Sequence, residues 1–171
     1  MTFTKKIKIP EARIAVLIGK GGEIRKGIER RLGVKLMISD TDVDVTGESV
    51  EVMDAENIVR AIGRGFDPET ALKLSDEDYT ICIIPLPKKE NEQKRIKSRV
   101  IGEKGSAREN IERLTNTNIC VYGKTISVIG KYDDVDNARE AIDKMFKGFS
   151  HASVYAFLEK KRREHREAER I

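Results

Sequence analysis

Apolar positions fall into short periodic runs, and their period switches between that of a helix and that of a strand. Glu11 to Leu17 is an amphipathic segment that predicts a helix, and Ile24, Ile28 and Leu32, four apart, predict a second one with a single apolar face. Val34, Leu36 and Ile38, then Val43 and Val45, alternate as strands do, with Asp- and Gly-rich turns between them. A third helix is predicted over roughly Val52–Arg64, with Gly65 as its C-terminal stop. Asp67-Pro68 then supplies a capping oxygen and a first-turn proline, which predicts another helix start.

The pattern restarts at the strand-like run Tyr79–Ile84. A polar insert from Lys88 to Lys97 follows, then strand residues Ile119, Val121, Ile126 and Val128, and a helix over Val135–Lys147 stopped by Gly148. Ser150 stands where Asp67 stood, as the cap of a trailing helix. The last stretch, Glu159 to Ile171, is charged on nearly every face and predicts a solvated helical extension.

The restart is a true repeat. Shifting the chain by 83 residues brings thirteen identities into one ungapped register, among them Gly19 on Gly102, Gly22 on Gly105, Arg25 on Arg108, and Ile28-Glu29-Arg30 on Ile111-Glu112-Arg113. Two copies of one module are therefore expected, at residues 1–77 and 78–158, with 159–171 as the extension.

Each copy sets a Gly-x-x-Gly between two predicted helices: Gly19-Lys20-Gly21-Gly22 and Gly102-Glu103-Lys104-Gly105. Glycines at such a break let the backbone lie against a sugar-phosphate chain, with free amides at the next helix start facing phosphate oxygens. Lys20 and Lys104 supply positive charge, and Glu103 opposes it. One such tetrapeptide means little. Two at the same repeat position, each followed by a basic amphipathic helix, point to nucleic acid. Arg25, Arg30, Arg108 and Arg113 on those helices are candidate phosphate contacts, with Glu29 and Glu112 as available ion-pair partners.

Ile18-Gly19-Lys20-Gly21-Gly22, with Ile28 and Leu36 beyond, and Val100-Ile101-Gly102-Glu103-Lys104-Gly105, with Ile111 and Ile119 beyond, resemble the KH signature over nearly the whole chain. The resemblance implies an α+β fold of two tandem type I KH modules. Each would have a three-stranded antiparallel sheet packed with three helices, plus an extra C-terminal helix. It also implies single-stranded RNA, roughly four nucleotides per module, held between the glycine loop and the second strand, with Leu36 and Ile119 at the groove. Arg25 and Arg108 replace an isoleucine of the family pattern, and Asn116 stands where the first copy has Gly33, so the modules are expected to bind unequally.

Ala61 to Leu72 and Ser150 to Tyr155 further resemble the archaeal relatives of the Dim-two (partner-of-Nob-one) and Krr-one ribosome-assembly proteins. This implies small-subunit ribosomal RNA near its 3′ end as the target. It also implies assembly proteins such as the Nob-one endonuclease or the rRNA dimethyltransferase as partners.

Composition adds polarity. The net charge is only +4, yet residues 1–38 carry ten Lys or Arg against three Glu, and residues 39–84 carry three basic against twelve acidic residues. Polyanions are drawn to one part and repelled from the other. Aromatics make up 5% of residues, so base recognition is expected to use aliphatic contacts and edge hydrogen bonds rather than stacking platforms. Asp40, Asp42, Asp44 and Glu51 match calcium-loop spacing, but Val45 occupies the obligatory glycine position, so an acidic turn is expected. Cys82 and Cys120 read as buried strand residues, and His151 and His165 have no catalytic constellation around them. No enzyme activity, metal or cofactor is expected. MTFTKKIKIP lacks the apolar core of a secretion signal and no run is long enough to span a membrane, so a cytoplasmic monomer is expected. Two other functions fit the same residues: a general KH adaptor in messenger RNA or RNA-degradation pathways, and a protein-interaction scaffold that has lost RNA.

Overall fold

Each predicted period produces its element because the matching face has a core to enter. The computed structural model describes residues 1–171 as two compact units, Met1–Ile81 and Cys82–Ile171. The first runs β1 (Thr2–Lys8), α1 (Glu11–Ile18), α2 (Glu23–Leu32), β2 (Lys35–Ser39), β3 (Asp42–Glu48), α3 (Ser49–Gly63) and the one-turn α4 (Pro68–Ala71). Its antiparallel sheet has the order β1-β3-β2, with Ile7 opposite Val43 and Leu36 opposite Val45. The fully buried side chains Leu17, Ile28, Leu36, Val43, Ile58 and Ile62 come from all three long helices and the sheet, so one core joins both layers.

The second unit repeats this with β4 (Tyr79–Pro85), α5 (Glu90–Ile101), α6 (Ser106–Thr115), β5 (Asn118–Tyr122), β6 (Thr125–Lys131), α7 (Tyr132–Phe146) and α8 (His151–Glu169), its sheet ordered β4-β6-β5. The start of β4 precedes the boundary between the units, but the strand pairs within the second sheet. Ile96, Val100, Ile111, Ile119, Val128, Ile142 and Met145 build the core, and Val154 and Leu158 of α8 close it.

Two local features go beyond the sequence reading. Most of the polar insert is the body of α5, which is twelve residues long against eight for α1. Its buried residues are Ile96 and Val100, so the first half of the helix is a solvated face with no apolar period to reveal it. The trailing helices are also unequal. Asp67 caps α4 by accepting from the Thr70 amide, but the helix gives way after one turn to a 3₁₀ turn at Leu72–Ser75. Ser150 caps α8 through the Ser153 amide, and α8 runs without a break to Glu169, so the charged extension is the second half of one helix.

The closing helices end alike. Phe66 N–H donates to Ala61 O and Phe149 N–H to Lys144 O, wrapping around Gly65 (φ 104°) and Gly148 (φ 90°), which only glycine adopts easily. An arginine from the first helix of each unit then seals this corner. Arg13 donates to the carbonyls of Ile62 (2.7 Å) and Phe66 (2.8 Å), and Arg99 donates to that of Phe149. His151 belongs to the same corner, its Nε2 lying 2.8 Å from Arg99 O and its ring stacked on Tyr155.

Candidate nucleic-acid interface

The loops take one backbone shape in both units. α1 ends at Gly19 (φ 74°, ψ 176°) and α5 at Gly102 (φ 75°, ψ 176°), a region essentially closed to side-chain-bearing residues. Space enforces the same choice. A Cβ on Gly19 would lie 2.4 Å from Ile24 Cγ1, and one on Gly102 would lie 2.6 Å from Ala107 Cβ and 2.7 Å from its amide nitrogen. The first glycine of each loop is thus fixed by close helix–helix approach. Gly102→Ala is accordingly expected to destabilise the protein by about 2 kcal/mol or more in urea unfolding. Gly123→Ala, at positive φ but in open space, should cost only about 1 kcal/mol.

The middle of the loop is one 3₁₀ turn, Lys20–Gly22 or Glu103–Gly105, in which Gly22 N–H donates to Gly19 O and Gly105 N–H to Gly102 O (3.2 Å each). The amides of the two central residues have no intrachain partner and stand at the mouth of the next helix. Gly21 (φ 62°) and its counterpart Lys104 (φ 54°) both hold a left-handed conformation, so the lysine is under strain that the glycine avoids. Lys20, Gly21, Glu103 and Lys104 are exposed.

Charge around the loops separates the units. Arg25 and Arg108 reach back toward the last loop glycine, each with Nη2 3.9 Å from where a Cβ on Gly22 or Gly105 would stand. Arg108 also pairs with Glu112 (3.1 Å), and no such pair restrains Arg25. Residues 19–26 hold three basic side chains and one acidic, whereas residues 102–109 hold two of each, including Glu103. Arg30 and Arg113 are elsewhere. They lie on the last turns of α2 and α6, roughly 12 Å of helix beyond the loop, so they are not loop residues.

The opposite wall is the outer edge of β2 or β5, each an edge strand of its sheet. Leu36 and Ile119 are core residues, 0% and 3% exposed, and only their backbone reaches this edge. There a feature absent from the expected site emerges. Glu29 Oε2 accepts from Leu36 N–H (3.0 Å), and Glu112 Oε2 accepts from Ile119 N–H (2.8 Å). The repeated glutamates are therefore ties between the helix and the edge strand, and Glu29 is not an ion-pair partner of Arg25. Two residues on, the outward backbone groups of Ile38 and Val121 are left open along the edge. Each unit thus presents a strip bounded by free loop amides on one side and a free strand edge on the other. Half-exposed aliphatics sit on the flanking elements: Ile18, Ile24 and Ile38 in the first unit, Ile101 and Val121 in the second.

A family model for the KH domain matches residues 4–61, and one for the eukaryotic-type (type I) KH domain matches residues 79–163. Dim2p from Pyrococcus horikoshii is 38% identical and superimposes with a TM-score of 0.87, over 92% of this chain and 99% of that one. The chain belongs to the Dim2/Pno1 family of tandem KH proteins. A KH domain-containing protein of Methanocaldococcus jannaschii is 44% identical over 165 residues, 91% of this chain and 73% of the relative. The a/eIF2α–aDim2p–rRNA complex from Pyrococcus horikoshii contains a chain 37% identical to this one, with a TM-score of 0.89 over 95% of this chain and 96% of that one. The pre-rRNA-processing protein pno1 of Aspergillus fumigatus is 24% identical over 170 residues, 92% of this chain and 68% of its own length. This chain thus has the two KH domains of the family, with the third strand of each unit central in its sheet.

Proposed function

We propose that this KH protein holds single-stranded small-subunit ribosomal RNA, near its 3′ end, across the strip between glycine loop and edge strand in each unit during ribosome assembly. The observation that carries the reading is the repeated pairing of two partnerless loop amides with an arginine reaching back over the last glycine. Loop amides and a guanidinium from the following helix are thus brought to the same short, exposed loop, the pairing of donors that a phosphate oxygen takes. Gly19, Lys20, Gly21, Gly22 and Arg25, and Gly102, Lys104, Gly105 and Arg108, are the residues assigned to the backbone. The open edges at Ile38 and Val121 are assigned to base edges. The rRNA complex of the Pyrococcus relative and the pre-rRNA-processing name of the fungal one support the choice of target. Assembly proteins such as the Nob-one endonuclease and the rRNA dimethyltransferase are proposed as partners, and no catalytic role is proposed.

In-cell RNA crosslinking mapped to sequence tests the target. Crosslinks concentrated on small-subunit rRNA precursors are expected, and crosslinks spread over messenger RNAs would favour a general adaptor instead. The second loop offers a finer test. Glu103 places a carboxylate where phosphate is expected, so Glu103→Lys should tighten RNA binding severalfold and steepen its salt dependence. Weaker binding by that variant would make Glu103 an acceptor for a sugar or base group.

A further inference from the structure

The charged stretch that the sequence assigns to solvation has a different surrounding in the fold. Val154 and Leu158 of α8 are buried against the second unit's core, and Arg162 and Arg166 continue in steps of four. The docking stripe of the helix therefore turns from apolar to basic without leaving the protein surface. Where it does so, the end of α6 and the start of α7 approach it and enclose a cleft of about 410 Å³. Arg113, Lys131, Arg162 and Arg166 line it from three different segments.

These cations outnumber the acids around them. The cleft sets four basic side chains against two acids, Asp134 and Glu169, the latter 3.0 Å from His165 Nε2. None of the four makes an ion pair with a carboxylate, and Arg113 donates only to the side-chain oxygen of Asn110 (3.3 Å). Burial pushes the Asp134 carboxyl up, while His165 and Lys131 pull it down and Asp133 raises it, so Asp134 feels charges from both walls of the cleft. Converging cations of like sign repel one another, and a concave group of them in excess over the nearby acids suits a polyanion.

The first unit has nothing comparable. After its closing helix, residues 67–78 hold one lysine against five acids, and α4 is a single turn. The cleft therefore belongs only to the unit whose glycine loop is the less positive. We propose that the cleft formed by Arg113, Lys131, Arg162 and Arg166 is a second RNA-backbone site, which holds phosphates beyond those at the Gly102–Gly105 loop. This rests on the RNA-binding reading above. It separates the two duties of α6: its first turn serves the loop and its last turn, through Arg113, serves the cleft. RNA that fills only the groove leaves the cleft empty, so the contribution appears only for a longer strand.

The test is a salt titration of the full chain and of R162A/R166A, whose exposed positions on α8 should leave the circular dichroism spectrum unchanged. The probes are labelled single-stranded RNAs of about four nucleotides, enough for one groove, and of about twenty. The longer RNA is expected to bind the variant about tenfold more weakly at low salt. The slope of log affinity against log salt should fall by about 1.4, two phosphate contacts at roughly 0.7 each. The short RNA should bind both proteins alike. K88A/K89A, which removes the same charge away from the cleft, should behave as the parent protein. Equal affinity and slope for parent and R162A/R166A on the long RNA would overturn the proposal, and that is the result expected of a cleft made for an acidic protein segment. An equal loss in K88A/K89A would overturn it as well, by making the effect one of net charge. A parent protein that binds neither RNA would defeat the RNA-binding reading itself, and the cleft proposal with it.

Discussion

Replacing the two inner glycines of the first loop, Gly21→Asp with Gly22→Asp, is expected to weaken binding of a single-stranded RNA spanning both units at least tenfold, on the order of 1.4 kcal/mol. The fold should survive. Nothing lies within 4 Å of a Cβ on Gly21, and the nearest atom to one on Gly22 is Lys26 Cε at 3.6 Å, so the new side chains point into open space. Both positions have positive φ, which disfavours any side chain, though aspartate tolerates the left-handed region better than most residues. The added carboxylates occupy the space in front of the free amides and meet phosphate with like charge. Fluorescence anisotropy checks the affinity and circular dichroism the fold. Undiminished binding by a folded variant would remove the first loop from the RNA site.

A comparable effect is expected from joining the two units on one strand. Once one site is occupied, a short covalent connection holds the other near its portion of the RNA at about millimolar effective concentration. An RNA of about eight or more nucleotides, roughly four per unit, should therefore bind on the order of a hundredfold more tightly than one that fills a single groove. Disabling either loop in the full chain, with G21D/G22D or K104D/G105D, should remove most of that advantage while leaving a single-site affinity. The gain should shrink as salt rises, because each phosphate contact releases counterions. If long and short RNAs bind the parent protein equally, the two sites do not share a strand, and the weaker unit becomes a surface for protein rather than RNA.

The fold was legible because a repeat doubles every signal. Ile28 and Ile111, or Val45 and Val128, occupy matching core positions, and one reading of the period serves both copies. The glycine loops were legible for a related reason. Gly19 and Gly102 are fixed by backbone angle and by contact with the following helix, so they leave a mark in the sequence itself. Asn116 in place of Gly33 was equally local: both residues hold a left-handed cap, at φ 54° and 68°, and asparagine is among the residues that tolerate it.

Other features depended on neighbours that no local pattern names. Leu36 and Ile119 sit beside the groove in sequence terms, yet their side chains enter the core and only the backbone is left at the edge. Glu29 and Glu112 look like partners for arginines four residues earlier; only Glu112 makes that pair, with Arg108, while the fold ties both to a strand amide seven residues later. A partly buried carboxylate–amide tie was not to be found from helical spacing, because the strand returns to the helix only through the tertiary turn between them. Arg113 shares its repeat position with Arg30, but it acquires its surroundings from α8, which the first unit lacks.

By itself, then, the sequence determined the number of modules, the elements of each, and the glycine loops, all features set by short-range sterics and by the period at which apolar residues enter a core. Only the tertiary structure decided which charges stand alone. Ion pairing depends on the distance between groups far apart in the chain. The acids and bases that interleave along Glu159–Glu169 as a neutral-looking series are sorted by the helix onto different faces, and packing of α8 against α6 and α7 gathers the unpaired arginines into one cleft.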